Sequence, residues 1–247
     1  MNEENKIKFK SIIENYKNIA KIDGIGTLSE KTLHKVVKNY LEPNQKYQEI
    51  KIGSYYADIF KDNKIIEIQT RQFNTLRSKL DFFFKNYEVT VCYPTFHKKT
   101  INWINPDTLL KEDIRKSPKK GSIYDVFSEL YKIKFLLNNQ RLKIKILLID
   151  LEEYRLLNGW SKNKKKWSYR YDQVPVELVN EVDILDIKDY QKFIPDSLNI
   201  QFTSKDYSKA TKLTLRKAQT ALNVLKYLEI IEIVGKDSKL NVYELKH

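Results

Sequence analysis

The stretch from residue 55 to residue 71 constrains the fold most, because two β-prone segments flank a short turn-forming sequence. Residues 55–60 and 65–71 are rich in β-branched and aromatic side chains, and apolar and polar positions alternate with a period of two. Asp62 and Asn63 lie between them and are residue types that favour a tight turn. The pattern therefore predicts a β-hairpin.

The predicted strand pairing places two carboxylates next to each other. With a two-residue loop Asp58 lies directly across from Glu67, whereas a three-residue loop would put the two on opposite faces. Facing carboxylates repel, so the pairing is unfavourable unless a positive charge lies between them. Mg²⁺ suits that position because it binds one or two protein carboxylates together with water and phosphate oxygens. The other face of the hairpin would be apolar and contribute to a core: Ala57, Ile59, Ile66 and Ile68.

Asp58, followed by the run Glu67-Ile68-Gln69, resembles the motif of the PD-(D/E)xK nuclease superfamily. In that superfamily a hairpin presents Asp and Glu to a metal ion, and a third residue, usually Lys, helps to activate water. Here Ala57 replaces the Pro of the motif and Gln69 replaces the Lys, and Gln can orient a water molecule but cannot act as a base. The resemblance implies a nuclease that uses Mg²⁺ or Mn²⁺, with Asp58, Glu67 and Gln69 as catalytic residues. The alternative is a surface hairpin with solvated acids.

Glu30 is a further candidate ligand. Thr27 and Glu30 fit a capping box at the start of a helix that runs to about residue 40. Glu30 also lies close to the apolar stripe of Leu33 and Val37, so its side chain is expected to point partly inward. Members of the superfamily often place a glutamate on the helix before the hairpin as a metal or water ligand. Both interpretations can hold together, and Glu30 is predicted as a catalytic and metal-binding residue.

The segments around the hairpin predict an α/β fold. Apolar periodicity favours helices at residues 7–20, 27–40, 74–87 and 123–137, and strands at residues 48–53, 89–93, 101–104, 144–151 and 182–187. The order helix, three strands, helix, strand matches the core of the nuclease superfamily, which implies a restriction-endonuclease-like mixed sheet flanked by helices. The acidic residues that follow residue 149 are interpreted as the first turn of a helix in preference to a second site.

The net charge of +13 indicates a polyanionic partner, and nucleic acid is the predicted one. Two basic regions supply candidate contacts: a loop at residues 111–121, and residues 159–171, where cationic and aromatic side chains interleave without an apolar period. A solvated loop is the alternative for both. Arg71 and Lys79 are candidates as well, and either could supply the positive charge of the missing Lys. The remaining candidates in these regions are Lys116, Lys119, Lys120, Lys164, Lys165, Lys166, Trp167, Tyr169 and Arg170.

The last fifty residues predict two helices, at residues 203–210 and 214–228, and then a hairpin at residues 230–245. This order resembles a winged helix-turn-helix domain, whose second helix commonly enters the major groove of DNA. Winged helices also serve as protein-docking or dimerisation modules, and that alternative stays open. The outward side chains of the second helix are of types that contact bases or phosphates: Arg216, Lys217, Gln219, Thr220 and Asn223.

Cysteine usage and hydropathy indicate a cytoplasmic protein with no membrane contact. Cys92 is the single cysteine, and the sequence has neither a signal peptide nor a spanning segment. Residues 116–121 and 153–161 also resemble stretches of an uncharacterised bacterial family, a resemblance that implies no activity.

The predicted organisation is a helical lead-in (1–26), a nuclease-like domain (27–187), a linker (188–199) and a winged helix domain (200–247). The predicted function is that of a metal-dependent DNA endonuclease of a restriction, defence or mobile-element system. RNA is not excluded as the partner, and a homodimer or a partner subunit is compatible with the sequence. The alternatives are a non-catalytic DNA-binding regulator, and a subunit of a multi-protein complex that docks through the winged helix.

Overall fold

The computed structural model describes residues 3–23, 32–105, 107–108, 110–157 and 169–246. Its α-helices are α1 (Glu3–Asp23), α2 (Thr32–Leu41), α3 (Arg77–Phe83), α4 (Phe127–Leu130), α5 (Ser204–Thr211) and α6 (Leu215–Tyr227). Its strands are β1 (Gln48–Ile52), β2 (Tyr55–Lys61), β3 (Lys64–Ile68), β4 (Glu88–Ile104), β5 (Lys111–Lys116), β6 (Leu142–Leu156), β7 (Tyr169–Ile184), β8 (Phe202–Thr203), β9 (Ile231–Asp237) and β10 (Leu240–Leu245). Short 3-10 helices cover Gln45–Tyr47, Phe73–Leu76, Ile123–Val126, Tyr131–Leu136 and Lys188–Phe193.

The larger sheet is mixed, and helices flank it, so the predicted α/β class is confirmed. Its strand order is β1-β2-β3-β4-β6-β7, with β5 paired to β4. Strands β1 and β2 are antiparallel, and β3 and β4 are parallel in the register Lys64↔Glu88 to Ile68↔Cys92. Because parallel neighbours need a crossover, the chain passes from β3 through the 3-10 helix Phe73–Leu76 and α3 before it enters β4. The observed order α2, β1, β2, β3, α3, β4 is the order that the sequence predicts.

The loop between β2 and β3 has the length on which the predicted pairing of Asp58 with Glu67 depends. Strand β2 ends at Lys61 and β3 begins at Lys64, which leaves a two-residue loop. Asp62 and Asn63 have φ angles of 49° and 61°, in the left-handed region that two-residue hairpin turns require. Asp and Asn are the non-glycine residues that tolerate this conformation best.

The predicted apolar face of the hairpin is incomplete. Ala57, Ile59 and Ile68 are buried as expected, but Ile66 is only half-buried, and Ile65 and Glu67 on the opposite face are buried as well. Both faces of β3 are therefore covered. The second face is covered because of the crossover between β3 and β4. Helix α3 belongs to that crossover, and its Lys79 side chain contacts Glu67 on the second face of β3.

The chain divides into two compact units. The first comprises Met1–Phe60, Pro94–Ser122 and Leu147–Glu181. In it α1 packs against α2, with the rings of Phe9 and Tyr40 in an edge-to-face contact at 5.1 Å.

The second unit comprises Lys61–Tyr93, Ile123–Ile146 and Val182–His247. Its aromatic core includes Phe127 and Phe193, whose ring centroids are 4.7 Å apart, and the Tyr207 hydroxyl donates a hydrogen bond to the Phe193 carbonyl. Residues 188–199, predicted as a linker, therefore contain a helical turn that packs inside this unit, because Tyr190 and Phe193 are both buried. The predicted domain boundaries themselves stay predictions.

Several strands are longer than the sequence predicts. One strand, β4, covers both predicted segments at residues 89–93 and 101–104. It pairs with β3 as far as Cys92 and with β5 from Thr100 onward, so the polar residues between these stretches belong to a continuous strand. The predicted basic loop begins with a strand instead, since β5 occupies residues 111–116 with every side chain exposed.

The acidic residues after residue 149 lie inside β6, so their interpretation as a helix N-terminus is wrong. Leu151 and Glu153 are buried, and their neighbours are half-buried, as in a strand. The predicted helix at residues 123–137 is α4 flanked by two 3-10 segments, and Ile133 has a non-helical φ of −119°. Ile133 is fully buried, so packing has overridden regular helix geometry at this point.

The C-terminal segment has the predicted order of two helices and a hairpin. Helices α5 and α6 are separated by residues 212–214, and β8, β10 and β9 form a small antiparallel sheet. Thr203 and Asp206 form a capping box at the start of α5, and Thr214 caps α6. The predicted inward face of α6 is buried: Ala218, Ala221, Leu222 and Leu225. In the part of the chain described here, no helix has the length and apolar character needed to cross a membrane.

Candidate functional site

Glu67 is a buried carboxylate that contacts a lysine. It lies on β3 with only 2% of its surface exposed, and its Oε2 is 2.5 Å from the Nζ of Lys79. Lys79 reaches it from α3, and its side chain is 20% exposed. A buried carboxylate is unfavourable unless a cation and hydrogen bonds compensate it, and Lys79 supplies one such contact. Of the two cations predicted to replace the Lys of the motif, Lys79 is the one that contacts Glu67.

Gln69 follows β3 and is held at both its backbone and its side chain. Its backbone N–H donates to the Cys92 carbonyl at 2.9 Å, which extends the parallel pairing by one residue. Its side-chain Nε2 donates to the Arg71 carbonyl at 2.6 Å. The amide nitrogen of the side chain is therefore engaged locally, and the amide oxygen is the atom that can accept a hydrogen bond from a water molecule.

Asp58 lies on β2 beside a histidine of α2. The His34 Nε2 is 3.5 Å from Asp58 Oδ2, and the two side chains are 25% and 17% exposed. On sequence grounds His34 is a candidate phosphate contact, although a lone histidine on a helix is more often incidental. His34 is therefore a side chain of α2 that contacts the first predicted metal ligand.

The donor atoms of the predicted site suit a hard divalent cation. Asp58 and Glu67 provide carboxylate oxygens, and Mg²⁺ commonly binds through one or two of these. Among the described residues, no cluster of three or more His, Cys, Asp or Glu side chains could hold a metal ion. Glu30, the third predicted ligand, lies outside the described residues, and so does Thr27, its predicted capping partner.

The predicted phosphate contacts fall into three groups. Arg71, Lys116, Lys119 and Lys120 are exposed, and Arg170 is half-buried near the start of β7. Tyr169 is the first residue of β7, and its side chain is not described. The other predicted contacts of that segment lie outside the described residues: Lys164, Lys165, Lys166 and Trp167.

Three of the five predicted base-contacting side chains of α6 already have partners within the second unit. Lys217 Nζ is 2.5 Å from Asp125 Oδ1, and the Asn223 side-chain oxygen accepts a hydrogen bond from Lys134 Nζ at 3.0 Å. The Thr220 hydroxyl donates a hydrogen bond to the backbone carbonyl of Arg216 at 3.0 Å. The side chains of Arg216 and Gln219 are exposed.

Glu153 forms a charged cluster that the sequence did not predict. It is 1% exposed on β6, and it accepts hydrogen bonds from Lys99 at 3.0 Å, from Arg155 Nε at 2.7 Å and from Gln173 at 3.1 Å. Burial alone would raise the pKa of its carboxyl, but Lys99 and Arg155 outweigh burial and hold that pKa below its usual value. The sequence did carry one signal for this cluster. Leu151, Glu153 and Arg155 are spaced two residues apart, which continues the period of the preceding strand.

Comparisons with known proteins identify a family and a relative, neither of which has an assigned activity. Residues 31–185 match a family described as "Domain of unknown function (DUF8091)". An uncharacterised protein of Treponema pallidum (strain Nichols) is 31% identical over 144 residues. That alignment covers 57% of this chain and 57% of the relative, so it spans little more than half of either protein. No solved structure matches the chain. Because the family match extends from before α2 to the end of β7, well over half of the sequence, the chain belongs to this family of domains of unknown function.

Proposed function

We propose that the chain is a metal-dependent DNA endonuclease whose hydrolytic site includes Asp58, Glu67 and Gln69. The contact between buried Glu67 and Lys79 is the observation that supports the proposal most. A lysine beside the metal-binding glutamate is the chemical element that the motif lacks at Gln69. Helix α3 brings Lys79 to Glu67, so the chain has both the carboxylate and the nearby cation that the chemistry needs.

The proposed roles follow from the donor atoms. Bound Mg²⁺ or Mn²⁺, held by Asp58 and Glu67 with Glu30 as a further candidate, would lower the pKa of water and stabilise charge on the leaving oxygen. Lys79 would neutralise part of the negative charge that develops on the phosphate. Gln69 would accept a hydrogen bond from the attacking water at its amide oxygen, because its amide nitrogen donates to Arg71. His34 would orient Asp58.

The C-terminal segment is proposed to be a winged helix-turn-helix domain that brings the site to DNA. Its two helices are followed by the β9–β10 hairpin, and Arg216 and Gln219 of α6 are exposed. These side-chain types contact phosphates and base edges. The chain's positive net charge favours any polyanionic substrate and does not select DNA. We assign DNA because the sequence resembles PD-(D/E)xK nucleases and winged helix domains.

A non-catalytic DNA-binding regulator is the second candidate function. It is favoured by the contact of the Lys79 ammonium with the Glu67 carboxylate, and by Gln69, whose side chain has no basic group. Such a protein would bind DNA in the presence of a chelator and would never cut it.

Incubation with supercoiled plasmid and with linear and branched DNA separates the two candidates. The native chain and Glu67→Gln are compared with Mg²⁺, with Mn²⁺ and with a chelator. The nuclease proposal predicts metal-dependent nicking or cutting that is lost in the variant. Tight binding without cutting by either protein supports the regulator, and equal cutting by both rejects the proposed site.

A further inference from the structure

Three aromatic rings are exposed in the second unit on the 3-10 helix Tyr131–Leu136 and on α6. Tyr131 is 49% exposed, Phe135 is 55% exposed and Tyr227 is 38% exposed. Tyr131 and Phe135 lie on either side of the kink at Ile133, and Tyr227 is the last residue of α6. These rings, together with Arg77 and Lys134, are called the aromatic surface below.

Two cations lie against the rings of the aromatic surface. The Lys134 ammonium is 5.4 Å from the ring centre of Tyr131 and 5.0 Å from that of Tyr227, so it joins the two segments. The Arg77 guanidinium is 5.2 Å from the ring centre of Phe135. Each of the three rings therefore has a cation within the range of a cation–π contact.

Neutral groups position both cations, which leaves their charges uncompensated. Lys134 donates a hydrogen bond to the Asn223 side-chain oxygen at 3.0 Å, and Arg77 donates from Nε to the Lys132 carbonyl at 3.0 Å and from Nη2 to the same carbonyl. Within the described ranges neither cation forms an ion pair with a carboxylate.

The neighbouring lysines differ in this respect. Lys132 pairs with Glu129 at 2.7 Å, and Lys217 pairs with Asp125 at 2.5 Å. Glu129 and Asp125 are therefore paired with other cations, and Lys134 and Arg77 are held by neutral groups.

We propose that the aromatic surface binds a single-stranded nucleic acid. Exposed rings are platforms on which unpaired bases stack, and the adjacent cations contact the phosphates between the bases. A base-paired duplex hides the faces of its bases, so it cannot use the rings in this way. Because Asn223 already holds Lys134, this side of α6 presents a fixed surface and not a set of free side chains that could read a groove.

The aromatic surface and the proposed nuclease share a nucleic-acid partner, but binding to the aromatic surface requires no cleavage. Bases and phosphates occur in both DNA and RNA, and the rings and cations of the aromatic surface contact only what the two share. Binding is therefore tested in chelator, where the proposed hydrolysis does not run.

The experiment measures the fluorescence anisotropy of labelled oligothymidine, oligouridine and a DNA duplex of equal length with the full chain. The variants Tyr131→Ala and Phe135→Ala remove rings, whereas Tyr131→Phe keeps the ring and Phe135→Leu keeps an apolar side chain without one. We expect each alanine variant to weaken single-strand binding about fivefold or more. Phe135→Leu should weaken it similarly, and Tyr131→Phe should bind like the native chain. Circular dichroism checks that each variant is folded.

Several results would overturn the inference. One is native-like single-strand binding by both alanine variants, and another is no single-strand binding by the native chain. A third is full binding by Phe135→Leu with loss in Phe135→Ala, which would indicate an apolar contact of the kind a protein partner makes. If ring-dependent binding is found but no DNA is cut, the nuclease proposal fails and the role of the aromatic surface is supported. Cleavage without ring-dependent binding would support the nuclease and reject that role.

Discussion

At the scale of single residues, the central question is why the carboxyl group of Glu67 is buried. Strand β3 is covered on both faces, so a carboxylate at this position loses most of its hydration. Lys79 compensates the charge from α3, and its own side chain keeps some contact with solvent. A pair of this kind is weak evidence for stability as such, because two apolar residues would often serve the core as well. The proposed function would give the pair a role that stability alone does not require.

A double-mutant cycle measures how strongly the two side chains are coupled. Lys79→Met removes the cation from a buried carboxylate, and we expect it to lower the free energy of unfolding by about 2–4 kcal/mol. Adding Glu67→Gln should recover part of that loss, because the charge that Lys79 compensated is then absent. Urea-induced unfolding of the native chain, both single variants and the double variant gives the coupling.

The matched control for this cycle is Lys132→Met. Lys132 also pairs with a glutamate of the second unit, Glu129, but its side chain is 36% exposed. Its loss should cost about 1 kcal/mol or less. Equal losses for Lys79→Met and Lys132→Met would show that the Glu67–Lys79 pair contributes no more to stability than the Glu129–Lys132 pair.

Glu153 makes stability depend on pH in a defined direction. Its folded-state pKa is lowered below its ordinary value of 4.5, so its contribution is complete above that pH and is lost as the pH falls through the folded-state pKa. The native chain should be more stable than Glu153→Gln at neutral pH, and the difference should shrink as the pH falls below 4.5. Urea unfolding of both proteins across this range tests the prediction. A difference that stays constant with pH would contradict it.

At the scale of elements, the β2–β3 hairpin is the segment that local sequence determines best. Its turn contains Asp62 and Asn63 in left-handed conformations, and apolar and polar side chains alternate along both flanking strands.

Asn63→Gly should leave the free energy of unfolding within about 0.5 kcal/mol of the native value, because glycine adopts positive φ without strain. Asn63→Val should lower it by about 1–2 kcal/mol. Thermal unfolding of both variants tests the turn, and equal stability of the two would contradict the left-handed conformation.

The elements that the sequence predicted poorly are those in which partners lie far away in the chain. Local periodicity located α1, α2, α3 and the segments β1 to β3, because each has an apolar face of its own. Periodicity divided β4 into two predicted strands, because the polar residues after Thr95 resemble the end of a strand. In the structure the strand continues, and β5 pairs with its second half. Periodicity misread the end of β6 because Glu153 is compensated by Lys99, which is more than fifty residues earlier.

The candidate site shows the same limit. Asp58, Glu67 and Gln69 are identifiable from a local motif, and Lys79 is one of two cations that the sequence offers for the missing lysine. Only the structure shows that Lys79 of α3 contacts Glu67. It also shows that the Gln69 side chain donates a hydrogen bond to the Arg71 carbonyl. The aromatic surface had no signal in the sequence, because Tyr131 and Tyr227 are brought to the same lysine only by the fold.

At the scale of the whole molecule, the net charge of +13 should make nucleic-acid binding strongly salt-dependent. Each phosphate neutralised on a single strand contributes about −0.7 to the slope of log K against log salt concentration. Lys134→Gln, which removes one proposed phosphate contact, should make the slope shallower by about that amount. Anisotropy titrations at several salt concentrations in chelator test this. An unchanged slope would remove Lys134 from the phosphate contacts.

The central claim is that Glu67 belongs to a metal-dependent hydrolytic site, and one plasmid-cleavage experiment tests it most directly. Supercoiled plasmid is incubated with Mg²⁺ or chelator and with the native chain, Glu67→Gln or Glu129→Gln. Glu129 is the control because it is also a buried glutamate paired with a lysine in the same unit. We predict cleavage by the native chain and by Glu129→Gln in Mg²⁺ only, and none by Glu67→Gln. Cleavage by Glu67→Gln at the native rate, or cleavage by the native chain in chelator, would contradict the claim.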